Sequence, residues 1–131
     1  MKKVFTIPAK AMGKQRARIT RYGAYTPAKT KEFEELVKMR YLDQHEIDQY
    51  EYAIRINIQA IIQPPKSLSE RKRKELLGKP VTKKPDWDNI GKIISDALNG
   101  IAYKDDNQIY EGRVTKRYGG VDSILVEIYY E

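Results

Sequence analysis

Apolar and polar residues alternate in several segments of the chain, and this period of two predicts β-strands. YAIRINIQAII is the clearest example, and Pro64-Pro65 ends it. Its predicted apolar face consists of Ile54, Ile56, Ile58 and Ala60. VFTI, residues 4–7, predicts a short opening strand. Two further strands, QIYEGRVTKRY and VDSILVEIYY, flank Gly119-Gly120, so we expect them to form a hairpin with each other.

Three other segments are predicted to be helices, two from the spacing of their apolar residues and one from its capping residues. Thr30 is the predicted cap of the first helix. The apolar positions of that helix are Phe33, Leu36, Val37 and Tyr41. SLSERKRKELLG predicts a short, very basic helix that begins at a serine cap and stops at Gly78. The best-patterned helix runs from Asp88 to Asn99, before Gly100. Its apolar stripe consists of Ile90, Ile93, Ile94, Ala97 and Leu98.

The remaining segments complete a prediction of the fold class. RARITRYGAYTP, which contains Gly23, predicts a hairpin or an exposed loop, and KPVTKKP predicts a lysine-rich loop. At 131 residues the chain is long enough for one domain and too short for two. The sequence therefore predicts a single compact α+β domain, residues 1–131, with a small mixed β-sheet, about five strands and about three helices.

Charge and composition favour some classes of function and exclude others. Lys and Arg number 25 against 18 Asp and Glu, a net charge of +7, which favours nucleic acid or a membrane surface as partner. The basic residues concentrate in residues 1–31 and 66–84. The absence of cysteine excludes disulfides and thiolate zinc sites. There is no long apolar run, signal-peptide core or GxxxxGK(S/T) motif, so we expect a cytoplasmic protein without a membrane span or a nucleotide cofactor.

A concentration of aspartates near the middle of the chain needs a physical explanation. The segments KPDWDNIGKIISDALNG and KDDNQI contain Asp86, Asp88, Asp96, Asp105 and Asp106. Two like charges about 4 Å apart repel each other by roughly 4 kcal/mol at an effective dielectric constant of 20. A divalent cation bound among the carboxylates would turn this repulsion into coordination.

Local geometry predicts how three carboxylates would converge. If the chain stays extended as far as Asp88, then Asp86 and Asp88 project to one side and Trp87 points into the core. Lys92 follows Asp88 by one helical turn, and the returning KDD segment can reach the same place. Three carboxylates beside a lysine form a hard-oxygen site that suits Mg²⁺ or Mn²⁺ rather than zinc.

The same residues also allow a purely structural interpretation, which their spacing does not exclude. Asp86 or Asp88 can cap a helix, because aspartate is a preferred N-cap residue. The KDD segment can be an ordinary turn. Asp96 and Lys92 can form a surface ion pair worth a few tenths of a kcal/mol. Composition and spacing leave both interpretations open.

KPDWDNIGKIISDALNGIAYKDDNQI resembles the signature of the RusA-type Holliday junction resolvases, in which a D-x-D-N-x-x-K helix precedes D-A-L and D-D-x-Q. The early KQRAR…YTPAKTKEFE stretch and the closing strands are also similar to the family, so the resemblance covers nearly the whole chain. Residues 84–109 are its most specific part. The resemblance implies a RusA-like homodimer that uses Mg²⁺ or Mn²⁺ to make paired symmetric nicks in a four-way DNA junction during recombination and repair.

The resemblance also implies roles for particular residues. Asp86, Asp88, Lys92 and Asp106 match the catalytic residues of the family, and the three aspartates among them match its metal ligands. Asp105 is the alternative third ligand, because the loop that precedes it varies among such proteins.

Basic residues on either side of the aspartates are the predicted contacts to DNA backbones. They are Arg16, Arg18, Arg21, Lys72, Arg73, Lys83 and Lys84. Tyr22 and Tyr25 can stack on bases or pack within the hairpin. The single histidine, His45, is predicted to be solvated, and its isolation argues against an HNH nuclease, which needs a histidine base beside metal ligands. Two other functions stay open: a non-catalytic DNA-binding accessory protein, and a metal nuclease that cuts branched DNA or flaps without junction specificity.

Overall fold

Six strands and three helices follow one another in the computed structural model, which describes residues 1–131. The strands are β1 (Lys2–Ile7), β2 (Arg18–Thr20), β3 (Gly23–Tyr25), β4 (Ile54–Ile62), β5 (Ile109–Tyr118) and β6 (Ser123–Tyr130). The helices are α1 (Ala28–Leu42), α2 (Glu70–Leu76) and α3 (Trp87–Ala97), and a short 3₁₀ turn, Asp106–Gln108, precedes β5. The predicted α+β class and its three helices are confirmed, with six strands in place of about five.

β4 lies inside a four-stranded mixed sheet whose strand order is β1-β6-β4-β5. It pairs parallel with β5 and antiparallel with β6, so the predicted hairpin between the last two strands is wrong. The connection between them passes the end of β4, where the Gly119 N–H donates to the Ile62 carbonyl oxygen (3.0 Å). The Gln63 N–H donates to a carboxylate oxygen of Asp122 (2.8 Å). A central position buries the alternating isoleucines of β4 more completely than an edge position would.

One face of the sheet forms the main hydrophobic core together with α1 and α3. The predicted apolar face of β4 is buried, with Ile58 and Ala60 each 1% exposed. The predicted stripe of α3 is buried as well, and Ile93 and Ile94 are 0% exposed. These two patterns therefore fix which face of α3 packs into the core against the sheet.

α1 begins two residues before its predicted cap. Pro27 occupies the N-cap position, and Thr30 lies within the helix at 0% exposure. The hydroxyl of Thr30 donates to Oε1 of Gln15 (3.1 Å). Because Thr30, Phe33 and Val37 share helical spacing, the threonine falls on the buried face of α1.

Two other local predictions are confirmed. β2 and β3 form an exposed hairpin, and Gly23 adopts a φ of 117°, which glycine tolerates because it has no Cβ. The Ser69 hydroxyl caps α2 by accepting a hydrogen bond from the Lys72 N–H (3.3 Å). None of the helices combines the length and the apolar character needed to cross a bilayer.

Two side chains lie elsewhere than predicted. Trp87 is 61% exposed, not in the core, because α3 already begins at this residue and the extended backbone ends before it. His45 is half-buried rather than solvated: its Nε2 lies 3.0 Å from the Val4 carbonyl oxygen, and its ring packs beside that of Tyr41. Trp87 therefore presents an aromatic ring at the surface beside the aspartates, and His45 has a structural role.

The strand order is testable by disulfide cross-linking, because the chain has no cysteine of its own. Gln59 on β4 is the Cα partner of both Thr115 on β5 and Leu125 on β6. We expect the pairs Gln59→Cys/Thr115→Cys and Gln59→Cys/Leu125→Cys to oxidise readily, because neighbouring strands are about 4.8 Å apart. Thr115→Cys/Leu125→Cys should stay reduced, because two strand spacings, about 10 Å, exceed the reach of a disulfide. Thiol titration and peptide mapping measure the outcome, and efficient cross-linking of this last pair would contradict the sheet order.

Candidate functional site

The first aspartate of the signature occupies the N-cap position of α3. The backbone of Asp86 is extended, with φ −69° and ψ 146°, and its carbonyl oxygen accepts a hydrogen bond from the Ile90 N–H (3.1 Å). Its side chain makes no capping hydrogen bond, and neither Asp86 nor Asp88 forms a salt bridge. Asp88 lies in the first turn of the helix. Helix capping thus accounts for the position of Asp86 in the chain. The carboxylates of Asp86 and Asp88 nevertheless have no protein partner.

Contacts from two distant segments hold the start of α3. Lys116 on β5 donates through Nζ to the carbonyl oxygens of Lys83 (2.7 Å) and Pro85 (2.8 Å). On the other side, the Lys14 N–H donates to the Asn89 carbonyl oxygen (3.0 Å). Lys116 carries no signal in the local sequence, because its contact depends on the parallel pairing of β4 and β5. The lysine fixes the segment that carries Asp86.

The later aspartates surround the other end of α3. Asp105 belongs to a capping box: its carboxylate accepts from the Asn107 N–H (3.1 Å), while its own N–H donates to Oε1 of Gln108 (2.7 Å). The Asp106 N–H donates to Oδ1 of Asn99 (2.7 Å). The turn interpretation therefore holds for Asp105, whose side chain is engaged in the backbone of the turn.

Burial and charge repulsion among carboxylates raise two pKa values at the C-terminal end of α3. Burial, followed by hydrogen bonds and charge repulsion from Asp96 and Asp105, raises the pKa of Asp106 to about 6. Burial and the same three carboxylates also raise the pKa of Tyr103, whose hydroxyl donates to the Ser95 carbonyl oxygen (2.7 Å). The three aspartates are thus close enough to sense one another's charge.

Two lysines compensate Asp96. Its Oδ2 lies 3.4 Å from Nζ of Lys92 and 3.4 Å from Nζ of Lys14, which also contacts Glu34 at 3.1 Å. The predicted pair of Asp96 and Lys92 is therefore present, and the Lys92 side chain is still 61% exposed. Lys14 was not among the predicted site residues. Its signals in the sequence are its place in the basic run before residue 31 and in the KQRAR stretch that is similar to the family.

The structure does not place the three proposed ligands around one point. Asp88 and Asp96 are about 12 Å apart along the axis of α3, given a rise of about 1.5 Å per residue, and Asp106 is near Asp96. Asp86 lines a depression together with Lys10, Lys14 and Lys84, whereas Asp88 lines a different groove. The oxygen donors suit a hard cation, but no three His, Cys, Asp or Glu side chains are positioned to hold a metal ion. A joint site of Asp86, Asp88 and Asp106 stays a prediction.

Most of the predicted DNA contacts are exposed, and one is not. Arg73 is half-buried beside the turn at Gly119 and Gly120, and its Nε is buried without a hydrogen-bond partner. The exposed residues are Arg16, Arg18, Arg21, Lys72, Lys83 and Lys84. On the β2–β3 hairpin, Tyr22 is 85% exposed and its ring packs against the guanidinium of Arg21. A role of these residues on DNA stays a prediction.

Comparison with known proteins shows the family to which the chain belongs. Its sequence matches the family model described as "Endodeoxyribonuclease RusA" over residues 8–129. The chain therefore belongs to the RusA family, as its resemblance implied. It is also similar to "Uncharacterized protein YqaN" of Bacillus subtilis (strain 168), with 42% identity over 69 residues. That match spans 49% of this chain and 48% of the relative, about half of each.

The raised pKa of Asp106 predicts a pH dependence of stability in a buffer containing EDTA. The folded state binds a proton at Asp106 more tightly than the unfolded state does, since the folded pKa is about 6 and the ordinary value is 3.8. The unfolding free energy should therefore fall as pH rises from about 4 to 6. Asp106→Asn should flatten this fall, because the amide carries no charge at any of these pH values.

Urea unfolding of the wild type and the variant at several pH values between 4 and 7 measures the effect. Asp43→Asn is the matched control, because that side chain is 58% exposed at the end of α1. If Asp106→Asn and the wild type show the same pH dependence, the carboxylates are not close to one another in solution.

Proposed function

We propose that the protein is a Mg²⁺-dependent endonuclease that resolves four-way DNA junctions by paired symmetric nicks in recombination and repair. The observation that carries this proposal is the family match over residues 8–129. The family signature D-x-D-N-x-x-K coincides with the start of α3, where Asp86 and Asp88 have no protein partner for their carboxylates. Unpaired carboxylates at this position support a role beyond helix capping.

Asp86, Asp88 and Asp106 would hold the divalent cation, with Mn²⁺ as a substitute for Mg²⁺. Their donor atoms are all carboxylate oxygens, the ligands that both ions prefer. When bound, such an ion polarises a phosphodiester and lowers the pKa of a water molecule. Because no three acidic side chains are jointly placed to hold an ion, the proposal includes a rearrangement of these side chains on binding.

Lys92 would act on the phosphate that is cut. Its ammonium group is on the exposed side of α3, one turn after Asp88, and its contact with Asp96 keeps it near the carboxylates. A positive charge at this point offsets the charge that builds on the phosphoryl group in the transition state. The exposed side chain can reach a ligand without breaking the core.

The basic segments would bind the arms of the junction. The exposed arginines of the β2–β3 hairpin and the exposed lysines Lys83 and Lys84 supply positive charge at the protein surface. Such contacts to phosphates add affinity without reading sequence. A homodimer would present two identical sites related by a twofold axis, which suits two symmetric cuts.

Loss of a single ligand should separate cutting from binding. We expect Asp88→Asn and Asp106→Asn to bind a labelled four-way junction with an affinity close to that of the wild type, because removing a carboxylate does not weaken attraction to phosphates. Nicking in Mg²⁺ should fall at least about 100-fold, because a ligand of the ion is lost. Asp43→Asn is the control.

Synthetic four-way, three-way and linear duplexes, each with Mg²⁺ or EDTA, measure both properties. Paired nicks confined to the four-way junction are the expected result. Nicking of three-way or flap substrates at equal rates would support a less specific nuclease, and binding of all substrates without nicks would support an accessory protein. Cleavage by either variant at the wild-type rate would remove that residue from the site.

Substitution of Lys92 should change the rate of cutting more than binding. Lys92→Ala removes one positive charge that acts in the transition state, so we expect a fall in single-turnover rate of roughly 10²- to 10³-fold and less than a threefold change in Kd. Lys38→Ala is the matched control, because Lys38 also forms an ion pair on an exposed helix face. If the loss appears in Kd and not in the rate, Lys92 contributes only attraction to phosphate.

A further inference from the structure

An apolar groove lies between the first half of α3 and the edge strand β5. Its floor is formed by Ile56, Ile58 and Val114, and Trp87 and Asp88 line it from the helix. Its volume is about 220 Å³, below the roughly 300–1,000 Å³ of pockets that hold whole small molecules. The groove therefore has room for one planar ring or one side chain.

Two glycines keep this groove open. Gly112 is the Cα partner of Ile56, and a Cβ at Gly112 would lie 3.7 Å from Cγ2 of Ile56, in ordinary van der Waals contact. A Cβ at Gly91 on α3 would lie only 3.3 Å from Cγ2 of Val114. The space exists because both positions lack a side chain, and at Gly112 a larger residue would fill it without backbone strain.

The only tryptophan of the chain, Trp87, lines one wall of the groove, and most of the surface of this residue is exposed to solvent. Trp87 is 61% exposed between two aspartates of the signature. No aromatic ring or cation of the protein stacks on it. A large flat apolar side chain that the fold leaves uncovered is available to a ligand with a planar face.

We propose that this groove binds one unstacked nucleobase, which stacks on Trp87. The inference rests on the proposed function in that it takes the ligand to be DNA. Three observations favour a base over a protein side chain. The net charge of +7 attracts a polyanion, the groove holds a single ring, and its wall is adjacent in sequence to two unpaired carboxylates of a nuclease signature. Stacking of a base on an aromatic side chain is worth about 1–3 kcal/mol.

Binding to two DNA duplexes in EDTA tests the proposal without any cleavage. One duplex is fully paired, and the other has the same sequence with a single unpaired thymine. We expect the fluorescence of Trp87 to be quenched more by the bulged duplex. Trp87→Ala should weaken binding of the bulged duplex about 5- to 150-fold and that of the paired duplex less than twofold, and Trp87→Phe should restore most of the loss.

A second variant acts on the groove without touching the tryptophan. Gly112→Val fills the space and suits a β-strand, so it should reproduce the loss for the bulged duplex, and Gly112→Ala should cause a smaller loss. Tyr110→Ala is the matched control, because Tyr110 is 60% exposed on the same edge strand and does not line the groove. It should leave the preference for the bulged duplex unchanged.

Three results would overturn the inference. They are equal quenching by both duplexes, an equal loss of affinity for both duplexes in Trp87→Ala, and a change of oligomeric state in Gly112→Val by sedimentation velocity. The last result would assign the groove to a contact between copies of the chain. Failure of the wild type to nick a four-way junction in Mg²⁺ would refute the proposed function instead, and the measurements in EDTA would still decide whether the groove binds a base.

Discussion

The burial of the apolar stripe of α3 against the sheet is the constraint on which the candidate site depends. The fully buried side chains of this stripe are Ile90, Ile93, Ile94 and Leu98. Each is worth about 1.5–3 kcal/mol relative to an exposed position, so a rotation of the helix about its axis would lose several kcal/mol. The helix therefore has one orientation, in which Asp88 and Lys92 face solvent.

Charge is compensated differently at the two ends of this helix. Near its C-terminal end, Asp96 contacts two lysines, while burial, followed by the proximity of Asp96 and Asp105, raises the pKa of the Asp106 carboxyl group. Near the N-terminal end, Asp86 and Asp88 have no ion-pair partner. The positive end of the helix dipole favours their charge, and three lysines line the same depression as Asp86. The fold thus keeps two exposed carboxylates without an ion-pair partner, one of them in a basic depression, which supports the proposal that an external ligand engages them.

Local sequence patterns predict the elements of this fold well because their causes are local. The alternation of β4, the stripe of α3 and the serine cap of α2 depend on residues a few positions apart. Strand partners depend on contacts between distant segments, so the glycine pair after β5 suggested a hairpin where the chain instead passes the end of β4. The helix starts were predicted to within three residues, and the one-residue error at α3 moved Trp87 from the core to the surface.

The candidate site likewise combines residues that local sequence patterns reveal with residues that are placed by contacts between distant segments. The signature residues on α3 were recognisable from their spacing, but the capping box of Asp105 and the anchoring contact of Lys116 depend on tertiary structure.

The most direct test of the account is anomalous X-ray diffraction from crystals grown with Mn²⁺. The account predicts a peak within coordination distance of the carboxylates of Asp86, Asp88 and Asp106. A peak held only by Asp96 and Asp105, or no peak at saturating Mn²⁺, would contradict it.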